Sequence, residues 1–262
     1  MVCGREIVQG LAVVPDLKLG LERCSTCPIR HRAVCSQSSP EELVELDAAK
    51  YYTDYKPGQE IVGEGEPTKA LGSVVSGVVA LHKTLEDGRR QMVGLLFPSD
   101  FIGRPLRPVA PYDAVAVTPV KMCMFHRDRF ERILDGSKNL EHRLLQMTLD
   151  ELDAARDWML LLGRKTARER LASFLMIVAK RQVQLEQCEL TDGMRIDIPL
   201  TREAIAEFLG LTIETVSRQF TALRKQGVLA IPDRRHADLT DLSALREMAG
   251  EYVNDYADLL DD

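Results

Sequence analysis

The sequence lacks the two features that would direct a chain into or across a membrane. No part of its 262 residues approaches the ~18 uninterrupted apolar residues that a membrane span needs. The first twenty residues have no basic stretch followed by an apolar run, which is the pattern of a secretory signal. We therefore expect a cytoplasmic protein with no membrane partner, in a compartment where thiols stay reduced.

The sequence also lacks an excess of positive charge. Lys and Arg number 34 against 40 Asp and Glu, so the formal net charge is −6 and gives no overall indication of nucleic-acid binding. Charge must instead be examined region by region. Neither a nucleophile motif nor a metal motif accompanies the histidines, so we do not expect an enzyme; they are His31, His82, His126, His142 and His236.

Three of the six cysteines lie close together in the stretch CSTCPIRHRAVC, as Cys24, Cys27 and Cys35. A reducing compartment argues against a disulfide framework. Thiolates bind tetrahedral zinc, and His31 would offer a Cys3His set. They equally bind an iron–sulfur cluster. Ligand types alone leave zinc and iron–sulfur open.

The chain divides into five parts by pattern, and the predicted fold class is α+β. An irregular segment covers residues 1–38, and a β-roll, or jelly-roll-like, sensor domain covers residues 39–126. Short runs rich in Val, Leu and Tyr between frequent glycines predict this domain, and Asp87-Gly88 predicts a hairpin within it. A long helix follows at 127–164, then a helical module at 165–250 and an acidic tail at 251–262.

The long helix carries apolar residues at alternating steps of three and four, which is typical of an a/d seam between paired helices. Because about three heptads is the lower limit for a coiled coil, a helix packed on its own domain remains an alternative. The charged opposite face favours dimerisation. Asp153 flanks the seam, where two copies would repel. The predicted interface is Leu145, Thr148, Leu152, Asp153, Ala155, Met159 and Leu162.

The stretch PLTREAIAEFLGLTIETVSRQFTALRKQGVL predicts a helix-turn-helix. Thr201 caps a first helix that runs to Leu209, Gly210 permits the turn, and Thr212 caps a second helix that runs to about Gln226. Two short strands around Pro232-Asp233 would add a wing. Basic residues outnumber acidic residues in this region, which favours DNA as the partner.

On the second helix, Glu214, Ser217 and Arg218 share one face. A carboxylate accepts from cytosine N4, and a guanidinium binds guanine O6 and N7. A solvated Glu–Arg pair on the helix surface is the alternative. Arg224 and Lys225, at the helix end, are predicted phosphate contacts, and Thr212 at the helix start completes the predicted DNA-binding set.

At this point the chain resembles the CRP/FNR family of transcription regulators over nearly its full length, in stretches such as KPGQEIVGEGEP and TREAIAEFLGLTIETVSRQFTALRKQGVL. The resemblance implies a β-roll, a dimerisation helix and a winged helix, with a homodimer and RNA polymerase as partners. The string ETVSR is similar to the recognition helix of the FNR branch, which reads TTGAT half-sites in an inverted repeat. It implies that Glu214, Ser217 and Arg218 read bases.

The resemblance also bears on the cysteines. FNR-type oxygen sensors hold a [4Fe-4S] cluster with three N-terminal cysteines and one distant cysteine. Cys24, Cys27 and Cys35 match the first three, in the Cys-x2-Cys-x7-Cys spacing of the FnrN/FixK-like group, and Cys123 in VKMCMF matches the fourth. Cys3 and Cys188 have no counterpart. The implied function is an oxygen-responsive regulator, and the alternative is a zinc-stabilised DNA-binding regulator or adaptor.

The loop GRPLRPVAPYDAVAV departs from the nucleotide-binding members of the family, which carry a Glu and an Arg-Ser or Arg-Thr pair there. Arg104 and Arg107 are basic, but neither precedes Ser or Thr, and the Glu is missing. We therefore expect no cyclic nucleotide ligand.

Overall fold

The computed structural model describes residues 24–250, which form two compact units with a boundary between Arg156 and Asp157. Cys3 and the predicted acidic tail lie outside the described residues. Within residues 24–250, no helix combines the length and the apolar character required to cross a bilayer.

Among the described residues, the first elements of the first unit are a short 3-10 helix at Cys24–Thr26 and the helix α1 at Pro40–Ala49. Eight strands follow: β1 Lys50–Tyr55, β2 Glu60–Val62, β3 Ala70–Ser76, β4 Val79–Thr84, β5 Arg90–Leu96, β6 Phe101–Ile102, β7 Asp113–Ala116 and β8 Val120–His126. They form two antiparallel sheets in the orders β1-β8-β3-β6 and β2-β7-β4-β5. The predicted β-roll is confirmed, and Gly88, with φ of 84°, makes the predicted hairpin turn between β4 and β5.

The two sheets enclose an apolar core because side chains alternate between the faces of each strand. Val74 from β3 and Met122 from β8 pack in this core against Leu81 from the other sheet. The alternate residues of β8, Cys123 and Phe125, therefore face outwards from the sandwich. Phe125 belongs there to a second apolar cluster, and Cys123 packs against it. The other members of this cluster are Val34, Leu46, Ala49, Leu71, Phe130, Leu134 and Leu140.

The predicted long helix is two helices in the structure, α2 at Arg127–Gly136 and α3 at Lys138–Arg164. Ser137 separates them. Its hydroxyl oxygen accepts a hydrogen bond from the amide of Leu140 at 3.0 Å, as an N-cap residue does, so α3 starts afresh at this point.

The second unit contains the remaining elements: α4 Ala167–Glu186, β9 Met194–Asp197, α5 Arg202–Leu209, α6 Ile213–Lys225, β10 Leu229–Ala230, β11 His236–Leu239 and α7 Leu242–Ala249. The strands form one sheet in the order β10-β11-β9. The two predicted wing strands are present as β10 and β11. The third strand, β9, was not predicted, and it pairs with β11.

The helix-turn-helix forms as its capping residues predict. The Thr201 hydroxyl oxygen accepts from the amide of Ala204 at 3.2 Å, and that of Thr212 accepts from the amide of Thr215 at 3.3 Å. Gly210 between the helices adopts φ of 61°, a left-handed conformation that glycine tolerates best. Val216, Phe220 and Leu223 are buried on one side of α6, which leaves the other side exposed.

Candidate metal centre and nucleic-acid interface

The four predicted cysteine ligands line one small cavity on the outer side of the first sheet. Cys24, Cys27 and Cys35 come from the segment before α1, and Cys123 comes from β8. Gly72 lets β3 lie close beside Cys123, since a Cβ atom there would be 2.4 Å from the Cys123 carbonyl oxygen. The remaining lining is mostly apolar, and consists of Ile29, Ala33, Val34, Leu46, Tyr52, Ser73 and Phe125.

The segment that carries three of the cysteines has its own internal support. Ile29, Ala33 and Val34 are buried beneath it, so apolar packing holds the loop against the sheet. The Arg30 guanidinium donates to the carbonyl oxygen of Ser36 at 2.6 Å, which closes the loop around Cys35. The cysteines are therefore presented by a packed loop.

Burial is the main influence on the four thiols, and it raises the pKa of each of them. The pKa of Cys24 rises to about 12 through burial and a hydrogen bond to Asp47. The Lys50 ammonium, which pairs with Asp47, opposes this change by lowering the pKa of all four. The free thiols are thus neutral near pH 7, and they would lose protons to bind a metal.

A hydroxyl group shares this cavity. The register across β1, β8 and β3 sets Tyr52 opposite Cys123 and Cys123 opposite Ser73, so the three side chains lie in one row on one face. Ser73 is 3% exposed, and its Oγ has no hydrogen-bond partner among the residues described. A buried polar group without a partner costs about 1–3 kcal/mol.

Four thiols could hold either of two kinds of metal group, which require different spacings. Within residues 24–250, no three His, Cys, Asp or Glu side chains converge as ligands of a single ion would. Four thiolates around one zinc lie about 3.8 Å apart, given Zn–S bonds of about 2.3 Å. A cubane takes one cysteine at each of its irons, which spreads them further. His31 is exposed and does not line the cavity.

A second, larger cavity of about 430 Å³ lies elsewhere in the first unit. Glu66, Lys69 and Arg104 are among the residues that line it. The Arg127 guanidinium fixes the loop at its edge by donating to the carbonyl oxygens of Arg104 at 3.1 Å and of Arg107 at 3.2 Å. Arg104 lines this cavity, whereas Arg107, the other basic residue of the loop, does not.

Helix α3 exposes a stripe of large apolar side chains. Leu145, Leu152 and Met159, all predicted for the dimer interface, are 55%, 45% and 72% exposed. Leu149 and Leu160, which were not predicted, are also exposed. Spacings of three, four and seven residues place most of these side chains on one side of the helix.

The other predicted interface residues have varied surroundings. Thr148 and Ala155 are exposed, whereas Leu162 is half-buried. Asp153 is exposed and forms an ion pair with Arg156 of the same helix at 2.8 Å. Its predicted repulsion between two copies stays a prediction.

On α6, the three residues predicted to read bases are exposed together. Glu214, Ser217 and Arg218 lie opposite the buried side of the helix. The Arg218 Nη2 donates to Thr215 Oγ1 at 3.1 Å, so its guanidinium lies along the helix surface. Hydrogen bonds from the Glu214 backbone amide and the Thr212 hydroxyl, together with Arg218, lower the pKa of Glu214. Its carboxylate is thus available as an acceptor.

The helix ends and the wing complete this surface. Arg224 and Lys225 are exposed in the last turn of α6, and Thr212, also exposed, serves as the N-cap. The wing adds Arg234 and Arg235. They were outside the predicted DNA-binding set, although their positive charge and their position in the wing indicate DNA binding. His236 anchors this wing through Nδ1, 2.7 Å from Asp233 Oδ2.

Both units are similar to domains of known proteins. Residues 52–137 match the description of a cyclic nucleotide-binding domain, and residues 169–248 match a Crp-like helix-turn-helix domain. The chain is 53% identical to the transcriptional activator protein FnrL of Cereibacter sphaeroides over 231 residues, which is 88% of this chain and 93% of FnrL. It is 38% identical to the nitrogen fixation regulation protein FixK of Bradyrhizobium diazoefficiens, over 79% of this chain and 86% of FixK.

A solved structure, that of FixK2 from Bradyrhizobium japonicum, matches with a TM-score of 0.69 and 34% identity, over 76% of this chain and 96% of that one. A β-roll followed by a winged helix-turn-helix defines a class of DNA-binding regulators. The chain belongs to the CRP/FNR family of transcription regulators.

Proposed function

We propose that this protein is an oxygen-responsive transcriptional activator that carries a [4Fe-4S] cluster on Cys24, Cys27, Cys35 and Cys123. The observation that carries the proposal is the convergence of these thiols on one cavity, although Cys123 lies far from the others in sequence. The similarity to FnrL, itself named a transcriptional activator, supports the regulatory role.

The residues around the cavity suit such a group. Each thiol would lose a proton and bind one iron, and the Lys50 ammonium would offset the negative charge of four thiolates. The apolar walls restrict access of water. When bound, the cluster would supply a redox-active centre that oxygen can oxidise.

The helices complete the proposed activity. Two copies of α3 would pair through the exposed stripe, and the paired α6 helices would read the two half-sites of a TTGAT-type inverted repeat. Glu214, Ser217 and Arg218 would contact bases, while Arg224 and Lys225 would contact phosphates. The exposed turn between β4 and β5 is our candidate contact with RNA polymerase, and a cytoplasmic location would keep the thiols reduced.

We propose no cyclic nucleotide in this scheme. Arg104 reaches the larger cavity, but the loop offers no Arg-Ser or Arg-Thr pair for a phosphate. The ligand that controls dimerisation would instead be the cluster, on the opposite side of the first sheet from the sandwich core.

Anaerobic purification tests the proposal directly. We expect a brown protein with broad absorption near ~400 nm and about four irons and four sulfides per chain. Cys123→Ala should lose both the cluster and anaerobic binding to the inverted repeat. Cys188→Ala is the matched control, because Cys188 does not line the cavity, and it should keep both.

A colourless wild-type protein that contains zinc would contradict the proposal and favour a zinc-stabilised regulator. Full cluster content in Cys123→Ala would contradict the assignment of the fourth ligand.

A further inference from the structure

We propose that the Ser73 hydroxyl donates a hydrogen bond to a sulfur atom of the bound cluster and so raises its reduction potential. Ser73 would be a positioning and tuning residue, since its side chain would touch the cluster without binding iron. This inference rests on the proposed function.

The position of Ser73 is the first support. It lies directly opposite Cys123 in the pairing of β3 with β8, so the two side chains share the outer face of the sheet. Both side chains line the cavity in which the other three cysteines meet. A group held by the thiols would therefore lie beside the Ser73 hydroxyl.

The missing partner is the second support. Ser73 is almost fully buried, and none of the residues described accepts a hydrogen bond from its Oγ. Native structures rarely leave a buried hydroxyl unsatisfied, so an acceptor must come from whatever fills the cavity. The walls are apolar apart from the thiols and Tyr52, and sulfur atoms of a cluster are hydrogen-bond acceptors.

The consequence for the cluster follows from charge. A hydrogen bond to a cluster sulfur stabilises negative charge on it, and it favours the reduced form over the oxidised form. The number of such bonds is one of the factors that set cluster potentials. Loss of the Ser73 hydroxyl should therefore make the cluster easier to oxidise.

The test compares two buried serines in the anaerobic, cluster-loaded full chain. Ser73→Ala removes the proposed donor. Ser38→Ala is the matched control, because Ser38 Oγ is also buried without a partner but does not line the cavity. Ser73→Thr retains a hydroxyl. The readouts are the midpoint potential under argon, the iron and sulfide content, and the shift of the iron–sulfur stretching bands in D2O.

We expect a lower midpoint potential and a smaller D2O shift in Ser73→Ala, with both unchanged in Ser38→Ala and largely restored in Ser73→Thr. If Ser73→Ala loses the cluster, the inference stands only where Ser73→Thr retains the cluster with the wild-type potential and D2O shift.

Three results would overturn the inference. If Ser73→Ala has the wild-type potential and D2O shift, Ser73 donates no hydrogen bond to the cluster, and the proposed function is unaffected. Loss of the cluster in both Ser73 variants would assign Ser73 to cavity shape alone. Wild-type protein free of iron overturns the proposed function and the hydrogen bond together.

Discussion

The guanidinium of Arg143 on α3 donates a hydrogen bond from Nη2 to the backbone carbonyl oxygen of Arg32, at 2.7 Å. Arg32 lies in the loop between Cys27 and Cys35. One turn further along α3, Gln146 accepts from Gln37 at 3.0 Å, just beyond the same loop. The helix with the exposed apolar stripe is thus bonded to the segment that carries three of the proposed ligands. A change in the loop can reach the helix through these contacts.

Replacing Arg143 by Ala should separate cluster binding from dimerisation. A hydrogen bond from a charged group contributes about 1.5–3 kcal/mol, and its loss leaves the cysteines in place. We expect near-normal iron and sulfide content, with a smaller anaerobic dimer fraction in sedimentation velocity and weaker binding to the inverted repeat.

Arg132→Ala is the control for this prediction, because the hydrogen bond of the exposed Arg132 side chain among residues 24–250 stays within its own helix, to the carbonyl oxygen of Asp128. It should leave the dimer fraction unchanged. If Arg143→Ala loses cluster and dimer in equal proportion, Arg143 holds the cysteine loop in place and does not couple cluster binding to dimerisation.

Replacing Lys50 by Gln should shift cluster assembly to higher pH. The ammonium lowers the pKa of all four thiols, so its removal raises these values further, and each added pKa unit costs about 1.4 kcal/mol per thiolate formed. The pH at which half the chains take up iron and sulfide should therefore rise. The double variant Lys50→Gln/Asp47→Asn should recover part of the shift, because it also removes the carboxylate beside Cys24. An unchanged pH midpoint in Lys50→Gln would show that the charge does not act on the thiols.

Placing a charge on the α3 stripe should weaken the dimer. Leu152→Asp removes burial worth about 1.5–3 kcal/mol in each of two copies, so the anaerobic dissociation constant should rise at least about a hundredfold. Val44→Asp, at an exposed apolar position on α1, should have no such effect. Sedimentation equilibrium of the cluster-loaded proteins measures both. A Leu152→Asp dimer as stable as wild type would mean that the chains pair through another surface.

Substitutions of the base-reading residues should change DNA affinity in a way that depends on the DNA sequence, whereas substitutions of the phosphate-contacting residues should not. Arg218→Ala should cost about 1–3 kcal/mol per half-site on the inverted repeat and less on a scrambled duplex. Glu214→Ala should lower discrimination while non-specific binding holds or strengthens, because a negative charge near phosphates is removed.

Arg224→Ala and Lys225→Ala provide the contrast. They should weaken binding to every duplex alike and reduce the slope of affinity against salt. Fluorescence anisotropy across a salt series measures these effects. An equal loss on both duplexes for Arg218→Ala would make Arg218 a backbone contact.

Local signals account for the features that the sequence determined by itself. Thr201, Gly210 and Thr212 specify two helices and a turn because each acts through backbone groups only a few residues away. Asp87-Gly88 specifies its hairpin in the same way. Short runs rich in Val, Leu and Tyr between frequent glycines likewise predict the strands of the β-roll, whereas no strand was predicted at the short β9.

Tertiary structure decided which residues surround the thiols. Ser73 and Lys50 belong to no motif. Ser73 lies opposite Cys123, and Lys50 lies on the same face, only because β1, β8 and β3 pair in one particular register, where a shift of one residue would turn each side chain to the opposite face. Arg143 reaches Arg32 across more than a hundred residues of sequence. Contacts of this kind depend on long-range pairing, which leaves no periodic or capping pattern in the chain. Only the start of α3 has a local signal, because Ser137 caps that helix.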